Sequence, residues 1–185
     1  MHFASTLAAV AFCAATLVSA NSMTFVNLDG TKRTVYVTPN AGYAHIDPVE
    51  LEGHREVKVE FPRGWIGNAY TVSEGKENVP GMLAEVAFQG WRGLTYYDVS
   101  AIVNPNDHDG VKEMYPASQA GAKVKSSFSG CKVFPCPTAY YLPDDIQTVS
   151  TDETDLIVTV GNYGNLERRE DASTYHPRNF VLSKL

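Results

Sequence analysis

Residues 23–37 read MTFVNLDGTKRTVYV. Apolar and polar residues alternate through 23–27 and again through 33–37, as they do in a β-strand with one buried face. The pair Asp29-Gly30 stands between the two runs, and Asp-Gly between alternating segments is a strong turn signal. The stretch therefore predicts a β-hairpin over residues 22–39.

The pattern of the hairpin continues along the chain. Between the predicted strands lie turn residues, and no segment has the spacing of an amphipathic helix. No internal repeat is present. About seven short strands with turns between them predict an all-β protein, a β-sandwich or barrel, in a single domain over residues 21–164. Beyond the hairpin, the predicted strands are 57–61, 65–72, 82–88, 95–103 and 156–160.

The first twenty residues have the composition of an export signal. They contain no Asp, Glu, Lys or Arg, and Leu7–Val18 is an apolar run that is too short to span a bilayer. The run ends at Val18-Ser19-Ala20, which provides the small residues that a signal peptidase requires. We predict a secretory signal peptide over residues 1–20 and a protein that is extracellular or bound to the cell wall. The alternative is an N-terminal anchor or a buried helix.

The remaining sequence limits the classes of partner. Its net charge is −6, which argues against nucleic acid as a ligand because such binding depends on neutralising phosphates. No later stretch is long and apolar enough to enter a membrane, and we expect a monomer. The segment 167–171 is highly charged and 173–185 has no clear period, so we expect residues 165–185 to form an exposed, loosely held tail.

The cysteines predict one disulfide bond. Cys13 lies within the predicted signal peptide, which leaves Cys131 and Cys136. Two cysteines this close in an oxidising compartment are expected to pair. The alternative, a metal site built on two thiolates, lacks both a Cys-x-x-Cys spacing and a nearby histidine.

Two acidic residues within predicted strands are candidates for catalysis or ligand binding. Glu85 shares one strand face with Leu83 and Ala87, and Asp98 lies between aromatic and β-branched residues. A carboxylate in the middle of a strand either faces water or lines a polar cleft, and aspartate is disfavoured in strands. Glu85 is equally well explained as an exposed strand residue, and Asp98 as a side chain that caps the backbone.

Two loops hold further candidates. The triplet Asp107-His108-Asp109 could ligate a divalent cation or supply a general base, although the turn residues around it favour an ordinary loop. Asp144 and Asp145 follow Pro143 in a second predicted turn. Paired acids in such a turn are usually solvated, and they gain functional interest only if they converge on Glu85 and Asp98.

Five blocks of the sequence resemble one known family. The blocks are Met23–Tyr36, Gly64–Tyr70, Leu83–Val86, Tyr97–Ser100 and Cys136–Asp145. In this order along the chain, they resemble motifs of the fungal branch of the thaumatin-like proteins, a branch whose members often carry a DNase label.

The resemblance implies a thaumatin-like β-sandwich with an acidic cleft that binds or cleaves β-glucans. Glu85 and Asp98 match two cleft positions of the family, and Asp145 or its neighbour Asp144 matches a third. Val103 stands where the family has a further cleft aspartate, which Asp107 or Asp109 would have to replace. The cleft arginine has no assigned position in this sequence.

Three functions follow from these observations. The first is a non-enzymatic, secreted protein that binds glucan-type polysaccharide or a host surface, with a role in the cell wall or in infection. The second is a weak endo-β-glucanase, in which Glu85 and Asp98 would be the two carboxylates on either side of the scissile bond. The third is a metal-dependent nuclease centred on Asp107, His108 and Asp109. We expect no cofactor for the first two and a divalent cation for the third.

Overall fold

The structure is a computed structural model that describes residues 21–163. The predicted signal peptide and the predicted C-terminal tail therefore lie outside the described residues. The part that is described is all-β and forms a single domain. Its helices are two separate, short 3-10 turns, Trp91–Gly93 and Ala117–Gln119. None of its helices is long and apolar enough to cross a membrane.

The strands divide into two sheets. Sheet A has the order β4-β1-β11-β8-β9, and sheet B has the order β10-β7-β6-β5-β2-β3. Neighbouring strands are antiparallel except for β1 and β11, which pair in parallel. In chain order the strands are β1 (Asn21–Asn27), β2 (Arg33–Pro39), β3 (Val49–Leu51), β4 (Glu56–Phe61), β5 (Ile66–Ser73), β6 (Leu83–Ala87), β7 (Thr95–Ser100), β8 (Val111–Pro116), β9 (Ser129–Gly130), β10 (Val149–Thr151) and β11 (Asp155–Val160).

One hydrophobic core lies between the sheets. Met23 and Phe25 of sheet A and Val35 of sheet B are fully buried in the same cluster. Trp65, just before β5, packs against Phe61 with ring centroids 4.7 Å apart and donates its indole N–H to the Ala44 carbonyl. The inner residues alternate with outward ones along each strand, so one face of sheet B is left turned away from the core.

The predicted N-terminal hairpin is wrong. Both of its strands exist, but β1 pairs with β4 and β11 in sheet A, whereas β2 pairs with β3 and β5 in sheet B. The Asp29-Gly30 turn carries the chain from one sheet to the other. Local alternation predicts a strand but does not specify its partner, which here is decided by contacts with distant residues.

A buried arginine holds this crossing in place. The Arg33 guanidinium is buried and donates to Asn27 Oδ1 at 2.6 Å and to Asp29 Oδ1 at 2.7 Å. Its Nε also donates to the Asp109 carbonyl at 3.0 Å. Burial opposes ionisation of Asp29, but hydrogen bonds from Arg33 and from the backbone of Asn162 and Thr31 hold the pKa of Asp29 well below its usual range. Arg33 thus has a structural role.

Four strands do not follow from the sequence pattern. Strand β8 is central to sheet A although it contains Lys112 and Glu113, both of which are buried. Glu113 Oε2 accepts hydrogen bonds from Lys125 and Tyr163, which compensate its burial. Because β8 contains charged residues, a prediction based on hydrophobicity does not recognise it as a buried strand. The other three strands, β3, β9 and β10, have two or three residues each.

The disulfide prediction is confirmed. Cys131 and Cys136 are bonded, and they close a small loop next to β9. The Thr138 hydroxyl donates to the Gly130 carbonyl and Gly130 N donates to the Thr138 carbonyl. These bonds tie the loop to the strand.

Candidate functional site

The outer face of sheet B carries a row of polar residues across adjacent strands. Asn68 of β5 lies opposite Glu85 of β6, and Glu85 lies opposite Asp98 of β7. Thr148, just before β10, donates its hydroxyl to Asp98 Oδ1 at 3.3 Å. Side chains that lie directly opposite each other on antiparallel strands have Cβ atoms only about 5 Å apart, so the two carboxyl groups are brought into contact by strand register.

The Asp98 carboxyl group is in an unusual environment. Its side chain is buried, and among the described residues none donates a hydrogen bond to Oδ2. Burial raises the pKa of Asp98 to about 7, with further increases from the charge of Glu85 and from a hydrogen bond with that residue; the Thr148 hydroxyl acts in the opposite direction. Two ionised carboxylates offer only acceptors. A proton on Asp98 therefore supplies the missing donor and joins the pair.

This contact bears on the possibility of glycoside hydrolysis. Retaining glycosidases hold their two carboxyl groups about 5–5.5 Å apart, and inverting ones about 6.5–9.5 Å apart. Hydrogen-bonded carboxyl groups have oxygens only about 2.5–3.0 Å apart. A hydrogen bond between the Glu85 and Asp98 carboxyl groups corresponds to a spacing shorter than either of these, and the assignment of the pair as catalytic carboxylates stays a prediction.

The pair opens into a shallow cavity of about 230 Å³, here called the carboxylate groove. Glu85 is half-buried and Tyr96 forms part of the wall. Among the described residues that line the groove there is no Lys, Arg or His. The groove is therefore a site of hydrogen-bond acceptors without a positive counter-charge. Its principal lining residues are Ile66, Asn68, Glu85, Tyr96, Asp98 and Thr148.

Asp144 and Asp145 lie in the turn that precedes Thr148. Asp145 Oδ2 accepts the backbone N–H groups of Tyr141 at 2.8 Å and Leu142 at 2.9 Å. Asp144 is exposed. Neither residue is among those that line the carboxylate groove, so the structure brings together Glu85 and Asp98 but leaves the two turn aspartates beside them.

The triplet Asp107-His108-Asp109 forms a loop held by its own backbone. Asp107 Oδ1 accepts N–H groups from Asp109 and Gly110, and its Oδ2 accepts the N–H of Met82 at 2.8 Å. His108 is exposed. Within residues 21–163, no three His, Cys, Asp or Glu side chains are gathered where they could hold a metal ion. The Asp107 carboxylate thus joins two loops, and the hypothesis of a cation site here stays a prediction.

Sequence reasoning missed several groove residues. Tyr96 shares the face of Asp98 because the two are separated by two positions on one strand, and this signal is present in the sequence. No local pattern places Asn68 or Thr148 in the groove. Asn68 lies opposite Glu85 and Thr148 contacts Asp98 only because segments that are distant in sequence come together in the fold.

Comparisons with known proteins place this architecture among fungal proteins. No family model matches the sequence. The chain is 52% identical over 140 residues to the antigenic protein SchS21 of Stachybotrys chartarum, a match that covers 76% of this chain and 94% of that protein. The fold is similar to that of the protein elicitor MoHrip2 from Magnaporthe oryzae, with a TM-score of 0.58 and 16% identity over 77% of this chain and 99% of the other.

These comparisons overturn the resemblance to thaumatin-like proteins. SchS21 is a relative that shares half of its residues with this chain over most of its length, and MoHrip2 is a solved structure with a similar fold. The blocks that carried the resemblance coincide mainly with β1, β2, β5, β6 and β7. Short alternating segments of this kind satisfy the general requirements of a sheet, so they recur in unrelated β-proteins.

Proposed function

Because the chain belongs to the family of the antigenic protein SchS21, we propose that it is a secreted, non-enzymatic, effector-like protein that binds a glucan-type polysaccharide through the carboxylate groove. The description of its relative as an antigenic protein supports a role outside the cell. The apolar run and small residues within residues 1–20 support the same location.

The observation that carries the proposal is the Glu85–Asp98 pair on an open sheet face without a cationic neighbour in the groove wall. Glu85 is half-buried, so its carboxylate can accept hydrogen bonds from a ligand. Below pH 7 Asp98 holds a proton, which reduces the negative charge of the groove. Such a site suits uncharged hydroxyl groups better than it suits anions, which the groove would repel.

A binding role is favoured over hydrolysis by the geometry of the pair. Glu85 and Asp98 lie directly opposite each other, and no third acidic residue lines the groove among the described residues to act with either of them. Asn68, Tyr96 and Thr148 add an amide, a phenol and a hydroxyl, which are groups that orient a polyhydroxylated ligand.

The proposal is tested by titrating the purified protein with a soluble β-glucan at pH 6, with a negatively charged polysaccharide as the comparison ligand. Glu85→Gln keeps the size of the side chain but replaces a carboxylate with an uncharged amide, whereas Asp98→Asn replaces a carboxyl group that is protonated at pH 6 with an amide of the same size. Glu85→Gln is expected to weaken glucan binding about tenfold or more, as the loss of a hydrogen bond to a charged group does, and Asp98→Asn is expected to weaken it by less.

Asp144→Asn is the matched control, because it also removes one acidic group but lies outside the groove. We expect its affinity to stay within twofold of the unaltered protein. The proposal fails if the unaltered protein does not bind β-glucan, or if all three variants bind it equally well.

A further inference from the structure

An exposed tryptophan stands next to the carboxylate groove. Trp91 lies in the connection between β6 and β7 and is 70% exposed. The Tyr96 hydroxyl, from the groove wall, donates to the Trp91 carbonyl at 3.3 Å. Gly90 packs so closely on the Tyr96 ring that an added Cβ would lie 3.2 Å from the ring atom Cδ2. The connection that carries Trp91 is thus packed directly on a groove residue.

The connection is strained and firmly anchored. Gln89 and Arg92 adopt φ values of 45° and 58°, in the left-handed region that non-glycine residues rarely occupy. The Gln89 side chain is fixed at its other end, since its Oε1 accepts Gly64 N–H at 2.8 Å and its Nε2 donates to the buried Asn21 at 2.5 Å. The surrounding structure therefore imposes an unfavourable backbone that keeps Trp91 turned outward.

The ring of Trp91 is also fixed on one face. The Arg92 guanidinium lies 4.4 Å from its ring centroid, a cation–π contact. The contact limits rotation of the indole, while its exposure of 70% leaves the rest of the ring open to a ligand. An aromatic ring that is held in place before binding loses little conformational entropy when a ligand stacks on it.

We propose that Trp91 is a second contact of the same binding surface, a stacking platform for one sugar ring of a chain whose neighbouring unit occupies the carboxylate groove. This inference rests on the proposed function. The apolar C–H face of a pyranose would lie on the indole, and its neighbour's hydroxyl groups would donate to Glu85. Trp91 lies beyond Tyr96, which is itself two positions and about 7 Å from Asp98 along β7, so the two contacts require a ligand longer than one sugar unit.

The test compares a methyl β-glucoside, which is a single sugar unit, with a β-glucan oligosaccharide of six units. Trp91→Ala is expected to weaken binding of the six-unit ligand about three- to tenfold, the range for loss of an aromatic contact, and to leave binding of the single-unit ligand unchanged. Trp91→Phe should restore most of the affinity, because it keeps a ring. Val124→Ala, which alters an 85% exposed apolar residue of another loop, serves as the control.

Each outcome either supports or overturns the stacking platform. If Trp91→Ala leaves binding of the six-unit ligand unchanged while Glu85→Gln weakens it, the platform is overturned and the groove stands. If neither sugar ligand binds the unaltered protein, the proposed function itself fails and the platform fails with it. A lysine-rich peptide that binds in place of the sugar ligands would identify a basic polypeptide as the partner and would overturn both.

Discussion

Asp98→Asn should make the protein more stable at alkaline pH and remove part of its pH dependence. The pKa of Asp98 is about 7 in the folded protein against an ordinary value of 3.8. A difference of this size corresponds to about 4 kcal/mol of unfolding free energy. Burial is its largest cause, and the Glu85 charge adds to it.

The direction follows from where the proton is bound. Between pH 4 and 7 the folded protein holds a proton on Asp98 that the unfolded chain has lost, so the free energy of unfolding decreases as the pH rises. The stabilisation is fully present below about pH 4 and is lost once the pH has passed through 7. Asparagine does not titrate, so the variant lacks this decrease.

The measurement is urea denaturation, followed by the fluorescence of the buried Trp65, at pH 5, 6, 7 and 8. The variant should gain stability relative to the unaltered protein as the pH rises, by up to about 4 kcal/mol. Glu85→Gln should reduce this pH dependence without removing it, because burial remains. Asp144→Asn, in an exposed turn, should show no such trend. A stability difference between Asp98→Asn and the unaltered protein that is constant from pH 5 to 8 would refute the assignment.

Three further changes test the framework around the groove. Arg33→Met leaves buried acceptors without their donor and should cost about 3–5 kcal/mol of unfolding free energy, measured by urea denaturation. Asp107→Ala should lower the unfolding free energy by about 2 kcal/mol because three backbone N–H groups lose their acceptor. His108 is exposed, so His108→Ala should change the unfolding free energy by less than about 0.5 kcal/mol. Equal effects of the two substitutions would contradict the structural role of the loop. Replacing Cys131 and Cys136 by serine should cost about 2 kcal/mol, the loop-entropy value for so small a ring, and a thermal midpoint unchanged by the double replacement would contradict this.

The surface described above has two parts that differ in chemistry. The carboxylate groove offers hydrogen-bond acceptors and has no Lys, Arg or His among its described lining residues, while Trp91 offers an aromatic ring on an anchored connection. The Glu85–Asp98 pair lies on the outer face of sheet B, and Trp91 lies in the connection between β6 and β7; none of the three belongs to the core that both sheets share. Variants at Glu85 or Trp91 therefore alter the surface without removing side chains from the hydrophobic core.

The sequence was sufficient to predict the class of the fold and the positions of many strands. Alternation along one strand depends only on the two-residue period of the extended backbone, so β4, β5, β6, β7 and β11 can be recognised locally. The proximity of Cys131 and Cys136 along the chain was likewise enough to predict their bond. Individual motif blocks were not enough to identify the family, because strand segments share the same alternation in many unrelated sheets.

The partners of each strand and the composition of the groove were decided only by tertiary structure. Alternation made β1 and β2 look like a hairpin, but β1 pairs in parallel with β11, whose Val160 lies opposite Asn27. Glu85 and Asp98 were both candidates from the sequence, yet their contact depends on the register between β6 and β7, and a slip of one residue would turn one of them toward the core. The local sequence determines which residues form strands, whereas register is set by packing between distant residues, and it is register that places Glu85 opposite Asp98 and forms the groove.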